Sequence, residues 1–397
     1  MNNPLVKSTA WCFTVTYLAY TAIYIARLNL SIVAPSLTGG SIMSKAEIGL
    51  LGGVFAVVYA CGRLFNGTLN DRVAPWVMLS SGLAAVGASN IISGLFPPFF
   101  AMAILWGINA YGQSMLWGSV LHVVSSLYDA DKARRRSALA ATSVAAGNII
   151  AIAFNTWLIE HFGMQYAFFV PGALNVIMCP LVYLSLRHIH LESIPKGRSL
   201  FSFIKLLRFK RMRIMLLPAL FHGIVKDSTA FWMALYFVDV FKIDLKSSWY
   251  FMLLIPVIGL AGRLTYNFFY RLSKSDENIV ASVSFLLSAI AAVLLLLPIG
   301  IPLVSGICLG FIYAALSIAN TSFLAVFPLR FAKIGEAASA SGLMDFTTYF
   351  SWGLGSIIYG VIIKNFQTSG YYIMFASWVI LSLASAFLMR IKIEESN

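Results

Sequence analysis

Charge is what this sequence has least of, and negative charge above all. Only 15 of its 397 residues are Asp or Glu, and charged residues of both signs make up 11% against 59% hydrophobic. Soluble domains carry about 25% charged residues, so this composition excludes a chain whose surface is mostly wetted. Cysteine is also sparse. Cys12, Cys61, Cys179 and Cys308 lie in separate apolar segments without metal or redox spacing, which argues against a disulfide framework or a zinc site and leaves them as packing thiols. There is no nucleophile motif with its base, and no Gly-rich phosphate loop ahead of Lys-Ser/Thr. Neither an enzyme nor a bound cofactor or metal is expected.

Apolar length is abundant. Windows of about 20 apolar residues, enough to cross roughly 30 Å of hydrocarbon as helices, follow one another along the chain. Twelve spans are expected, near 10–36, 47–69, 75–96, 99–127, 137–160, 165–187, 213–240, 248–271, 278–298, 301–328, 336–363 and 370–390. Breaks fall at turn-prone or charged stretches such as Thr38-Gly-Gly-Ser, Phe96-Pro-Pro and Pro298-Ile-Gly-Ile-Pro302. The expected fold class is therefore an all-α membrane protein of twelve transmembrane helices. Its first apolar run is too long for a signal-peptide core and is read as the first span.

The net charge of +13 is a topology signal rather than a nucleic-acid one. Of 28 Lys and Arg, four fall inside spans (Arg27, Arg63, Lys226, Arg263), 20 in loops on the N-terminal side, and four opposite (Lys45, Lys242, Lys246, Lys364). Positive loops stay in the cytoplasm, so both termini are expected there. Short loops and Asn-x-Ser/Thr triplets confined to spans (Asn29, Asn66, Asn320) suit a bacterial inner membrane. Residues 200–213 place Leu200, Phe203, Ile204 and Leu207 on one helical face with Lys and Arg around the rest, as a surface amphipathic helix does.

That linker divides the chain into residues 1–190, a connection over 191–212, and residues 213–397. An internal repeat supports the division: Gly62-Arg63-Leu64 recurs 200 residues on as Gly262-Arg263-Leu264, and Lys226 follows Arg27 by 199. Two pseudo-symmetric six-helix halves, with a site at their interface near the midplane, are the expectation.

An arginine at the bilayer centre costs about 2.5–3.5 kcal/mol on insertion scales, so it faces a bundle interior or a watery cavity. Tyr20, Tyr24, Arg27 and Ser31 are spaced four, three and four apart and share one helix face. Tyr59 and Arg63 do the same in span 2. Asn109, Gln113 and Trp117 mark span 4; His222, Lys226 and Thr229 mark span 7. Tyr313, Ser317 and Asn320 mark span 10; Asp345, Thr348, Tyr349 and Trp352 mark span 11. The clear intramembrane carboxylates are Asp227 and Asp345, and Asp227, adjoining Lys226, is expected to point about 100° away from it. Arg27 and Lys226 thus read as an anion clamp, the arginine offering a bidentate fork and the lysine a mobile point charge.

On these residues the chain resembles the major facilitator superfamily, whose loop signature is seen in Gly67-Thr-Leu-Asn-Asp71-Arg72. Within it, the nearest resemblance is to the organophosphate:phosphate antiporters, including glycerol-3-phosphate, hexose-phosphate and glucose-6-phosphate translocators. Three stretches carry it: Tyr24-x-x-Arg27-x-Asn29 with Pro35; Tyr59-x-x-x-Arg63, Gly67 and Asp71-Arg72 running into Ser80-Ser-Gly-Leu; and Gly112-Gln113 with Trp117. Lys226 with Trp232 resembles the span-7 lysine of the glucose-6-phosphate translocators.

The resemblance implies a monomeric exchanger of a phosphorylated metabolite for inorganic phosphate. Arg27 and Lys226 would clamp phosphate and Arg63 would be an auxiliary cation. Tyr20, Tyr24 and Tyr59 would neighbour the anion, with Gln113, Trp117 and Tyr349 along the path. Coupling or gating would fall to Asp227, Asp345, His122, Asp71 and Arg72. Two departures stand out: the family's Trp-Pro-Pro is here Trp117-Gly-Ser, and a span-5 histidine of some members is Gly147. Arg27-Leu-Asn29-Leu-Ser31 also resembles the hexuronate and sialate symporters, so a proton-coupled carrier of a carboxylated solute stays open. A non-transporting organophosphate sensor of the same fold stays open too.

Overall fold

The computed structural model describes residues 4–70, 72–188, 205–274, 276–298, 300–334 and 336–391. The described residues form thirteen α-helices: α1 (Pro4–Gly39), α2 (Lys45–Leu69), α3 (Pro75–Ser93), α4 (Phe99–Ser114), α5 (Leu116–Leu127), α6 (Ala130–Phe162), α7 (Tyr166–Leu186), α8 (Lys210–Phe241), α9 (Leu245–Leu272), α10 (Glu277–Leu296), α11 (Pro302–Thr321), α12 (Ala337–Phe366) and α13 (Thr368–Leu388). Eleven helical stretches of the described residues are long and apolar enough to cross a membrane, one of them, Pro302–Phe331, running past α11. The twelfth expected crossing, 99–127, is α4 plus α5. Past α11 the chain continues as a π turn, Ser322–Val326, and a 3-10 stretch, Phe327–Ile334. Asp71 and residues 200–204 of the expected amphipathic helix lie outside the described residues; of that helix's apolar face only Leu207 is described, and it is exposed.

Local chemistry sets the helix ends. Pro75 and Pro302 occupy first turns, where a missing N–H costs nothing. Ser44 and Glu47 form a reciprocal capping box at the start of α2: the Ser44 N–H donates to Glu47 Oε2 (2.7 Å) and the Glu47 N–H to Ser44 Oγ (3.3 Å). The Asp129 carboxylate accepts from the Lys132 N–H (3.0 Å) ahead of α6. The division of span 4 corrects the expectation of one helix. The Met115 N–H reaches back three residues to the Gly112 carbonyl (3.2 Å), a tightened turn that interrupts the α-helical ladder.

The helices gather into two compact units, residues 1–33 with 61–198, and residues 34–60 with 199–397. Within the first, α3 packs on α4 and α7; within the second, α9 packs on α11, and α10 on α13. The internal repeat is visible in this packing. A side chain at Gly62 would strike Ser114, and one at Gly262 would sit 2.6 Å from the Ala314 carbonyl, so each repeated glycine abuts the residue 52 positions later. Close approach of small residues is how membrane helices gain packing without a hydrophobic drive between them.

The assignment of residues 34–60 to the second unit has a visible cause. The first half of α2 runs along α12 with almost no side chain between them. A Cβ on Gly49 would lie 2.5 Å from the Ser356 carbonyl oxygen and 2.8 Å from Gly360 Cα, and the Ser356 hydroxyl donates to the Gly49 carbonyl (3.0 Å). At the end of this seam Lys45 Nζ pairs with Asp239 of α8 at 2.5 Å, and the Tyr371 hydroxyl of α13 donates to the same carboxylate oxygen at 2.7 Å. Gly49→Leu is expected to cost about 1–3 kcal/mol through overpacking, read as a lowered unfolding temperature. Gly67→Ala, where nothing lies within 4 Å, is the matched control and is expected to leave it unchanged.

Candidate anion site

The first unit assembles the residues around Arg27 much as their spacing requires. Tyr20 and Tyr24 are buried and meet edge to face at 5.4 Å; the Arg27 guanidinium lies 5.4 Å from the Tyr24 ring centroid; Trp117 of α5 packs 5.1 Å from Tyr20. Arg27 itself is half-buried. The guanidinium thus lies against the face of an aromatic cluster, a cation–π arrangement.

Asparagines from three neighbouring helices fix this part of α1, a feature that sequence reasoning missed. Asn175 of α7 donates to the Ala22 carbonyl (3.2 Å), and Asn155 of α6 to the Ile25 carbonyl (3.0 Å). Asn29 donates to Asn90 Oδ1 of α3 (2.7 Å) and to the Ala167 carbonyl (3.1 Å), while its own Oδ1 accepts from the Leu30 N–H (2.8 Å). Arg27 thus projects from backbone held on both sides. The signal was four buried amides in otherwise apolar spans. Gly147 of α6 belongs to the same arrangement, because a side chain there would meet Tyr24 Cβ at 2.5 Å and the Thr21 carbonyl at 2.9 Å. Where some relatives of the resembled family carry a histidine, this chain has helix-to-helix contact.

Further along the first unit, Gln113 donates to Asn109 Oδ1 (3.0 Å), leaving Gln113 Oε1 and Asn109 Nδ2 buried without a partner. His122 is not near these groups in role: its Nδ1 lies 3.0 Å from the Asn70 carbonyl, which only accepts, so Nδ1 carries the proton. Asn70 also accepts from the Ser119 hydroxyl (2.5 Å). Both contacts fasten the loop after α2 to α5, with Arg72 of that loop exposed and Asp71 outside the described residues. Arg63 is half-buried in the last turns of α2.

The second unit holds Lys226, 7% exposed, with its Nζ 2.8 Å from Asp227 Oδ1 and 5.2 Å from the Tyr313 ring centroid. This corrects the expectation that Asp227 diverges. The two Cα–Cβ bonds do leave the helix about 100° apart, but lysine's four-carbon stem lets the ammonium come round to the carboxylate. His222, one turn earlier, does not join them. Its Nε2 lies 2.9 Å from the Leu316 carbonyl and its ring between Phe285 and Phe323, so it is a core residue. Tyr59 and Tyr349 meet at 4.6 Å at the inner end of the α2–α12 seam, with Phe55 and Trp352 beside them. Asp345 is buried at 9% exposure in α12. Among the described residues no group of three His, Cys, Asp or Glu is placed to hold a metal.

The described residues form a polytopic helical protein with eleven stretches long and apolar enough to cross a membrane, and with Arg27 and Lys226 inside such stretches. Residues 16–356 match the Major Facilitator Superfamily, and the chain belongs to that family. A probable hexose phosphate transport protein of Chlamydia trachomatis is 25% identical over 162 residues, 41% of this chain and 36% of its own length. The membrane sensor protein UhpC of Escherichia coli is 24% identical over 164 residues, 41% and 37% of the two chains. A glycerol-3-phosphate transporter of Haemophilus influenzae is 31% identical over 116 residues, 28% and 24%. The chain thus spans between about a quarter and little more than a third of the length of these relatives. Among solved structures, a bacterial homolog of the human lysosomal transporter Spinster superposes with TM-score 0.79 at 17% identity over 98% of both chains. The nucleoside transporter NupG gives 0.81 at 16% over 97% of this chain and 100% of its own. At such identities these two establish the fold.

The asparagine contacts make a direct prediction. Asn155→Leu is expected to lower stability by about 1 kcal/mol, measured as a shift in the denaturation midpoint of purified protein, and unchanged stability would show the bond to Ile25 to be idle.

Proposed function

We propose that this protein is a secondary transporter of a small organic anion, exchanging a phosphorylated metabolite for inorganic phosphate by alternating access in an inner membrane. Arg27 and Lys226 each contact the anion. Tyr20, Tyr24, Tyr59, Arg63, Gln113, Trp117 and Tyr349 line its path. The chain works as a monomer with both termini in the cytoplasm, the orientation that its Lys and Arg asymmetry favours.

The observation that carries the reading is the interior charge balance. Four cations, Arg27, Arg63, Lys226 and Arg263, lie well inside spans with two carboxylates, Asp227 and Asp345; Asp239, near its span's end, is matched by Lys45 and leaves this balance unchanged. A phosphate monoester carries about −1.5 to −2 at neutral pH, which matches the surplus, whereas one carboxylate covers half of it. The names of the relatives point to the same chemistry, hexose phosphate and glycerol-3-phosphate. Exchange follows from the same balance, since a surplus of positive charge resists crossing until an anion covers it.

A sensing role is the second reading, favoured by the likeness to membrane sensor proteins at 24% and 25% identity. Purified protein in liposomes preloaded with phosphate separates the two. Transport predicts phosphate self-exchange and exchange with glucose 6-phosphate or glycerol 3-phosphate, lost in Arg27→Ala. Binding without turnover supports the sensor, and uptake into empty vesicles driven by a pH gradient supports a proton-coupled symporter using Asp227, Asp345 or His122. No exchange of any kind, with Arg27→Ala changing no flux, contradicts the proposal.

A further inference from the structure

We infer that Arg263 is an anion-binding residue, forming with Lys226 a two-cation subsite beside the Tyr313 ring in the second unit. The inference rests on the anion-transport reading and adds to it the residue that supplies the subsite's net charge.

Arg263 lies in α9, nine residues from its end at Leu272, or roughly 13 Å along the axis. That is too far for the side chain to carry its charge out to the end of the helix. Nor does it belong to the outward face of α9, which is drawn by the exposed Tyr250, Val257, Leu264 and Phe268. It stands one turn beyond Gly259, whose missing side chain gives the Tyr313 ring its place, and Lys226 Nζ lies 5.2 Å from that ring's centroid. Its neighbour Gly262 abuts Ala314, the residue after Tyr313, a Cβ there lying 2.6 Å from the Ala314 carbonyl, so this turn of α9 is held against the stretch of α11 that carries the ring.

Compensation separates the two cations. Lys226 pairs with Asp227 at 2.8 Å and the two sum to zero. Arg263 makes no hydrogen bond and no ion pair among the described residues. The cluster of Lys226, Asp227 and Arg263 is therefore singly positive, and the unsatisfied charge sits on the side chain with the planar fork suited to phosphate. A phosphoryl group bound to the guanidinium is placed to draw Lys226 off Asp227, since it offers more charge and three acceptor oxygens. Asp227 then serves as the internal stand-in that keeps Lys226 paired when no anion is bound. The sequence had marked the position through its repeat, Gly62-Arg63-Leu64 and Gly262-Arg263-Leu264, without giving the second arginine a task.

Thermal unfolding of the purified full chain, with inorganic phosphate, glucose 6-phosphate and glycerol 3-phosphate as titrants, tests this. Arg263→Met is expected to unfold at a higher temperature than wild type without anion, because a half-buried charge with no ion pair among the described residues has gone. It is expected to need roughly tenfold or more anion for the same stabilisation, the loss typical of one charge-assisted hydrogen bond. Arg263→Lys should keep part of the response, and Asp227→Asn, which frees Lys226, should respond at lower anion concentration. An Arg263→Met protein that keeps the wild-type response overturns the inference and leaves the transport proposal standing. A wild type that responds to none of the three titrants overturns both.

Discussion

A polar group inside hydrocarbon must find its partner within the protein or in a bound solute, and the rest of this structure follows from that constraint. Serine and threonine hydroxyls turn back onto carbonyls of their own helices, as Thr16 does on Cys12 and Thr229 on Val225. Asparagines reach between helices to the backbone of α1. The Lys45–Asp239 pair stands at the end of α8, and the Lys226–Asp227 pair in its middle. The polar inventory of the spans is small, and many of its members have a definite structural task.

The two repeats use different means to hold their cations. Arg27 is fixed through its backbone, by Asn155, Asn175 and Asn29 around it, with tyrosines against its side chain. Lys226 is fixed through its side chain, by Asp227 and the Tyr313 ring. On the proposed function, a backbone-fixed arginine would serve as a preformed fork for the anion, and a side-chain-fixed lysine would exchange its carboxylate for that anion.

Much of the fold was legible because membrane spans are written in composition, and breaks in proline, glycine and charge. The repeat was legible because Gly62 and Gly262 do the same steric work in α2 and α9. The stripe of Tyr20, Tyr24 and Arg27 followed from helical spacing alone. What escaped depends on side-chain reach and on contacts remote in sequence. Neighbouring residues diverge at Cβ, yet Lys226 bends back to Asp227. Gly112, Gln113 and Ser114 gave no proline signal, yet α4 ends there. Residues 34–60 precede the sequence midpoint but pack with the second unit, because Gly49 and Gly360 let two backbones touch. Gly147 looked like a lost ligand and is a contact surface for Tyr24.

The central claim is that the interior cations are kept for an anion. Its most direct test is a calorimetric titration of inorganic phosphate into purified wild-type protein and into Lys226→Gln. The account predicts one phosphate bound per chain by wild type, weakening as salt rises, and no measurable binding by Lys226→Gln. Equal binding by both proteins, or binding at several sites indifferent to Lys226, would contradict it.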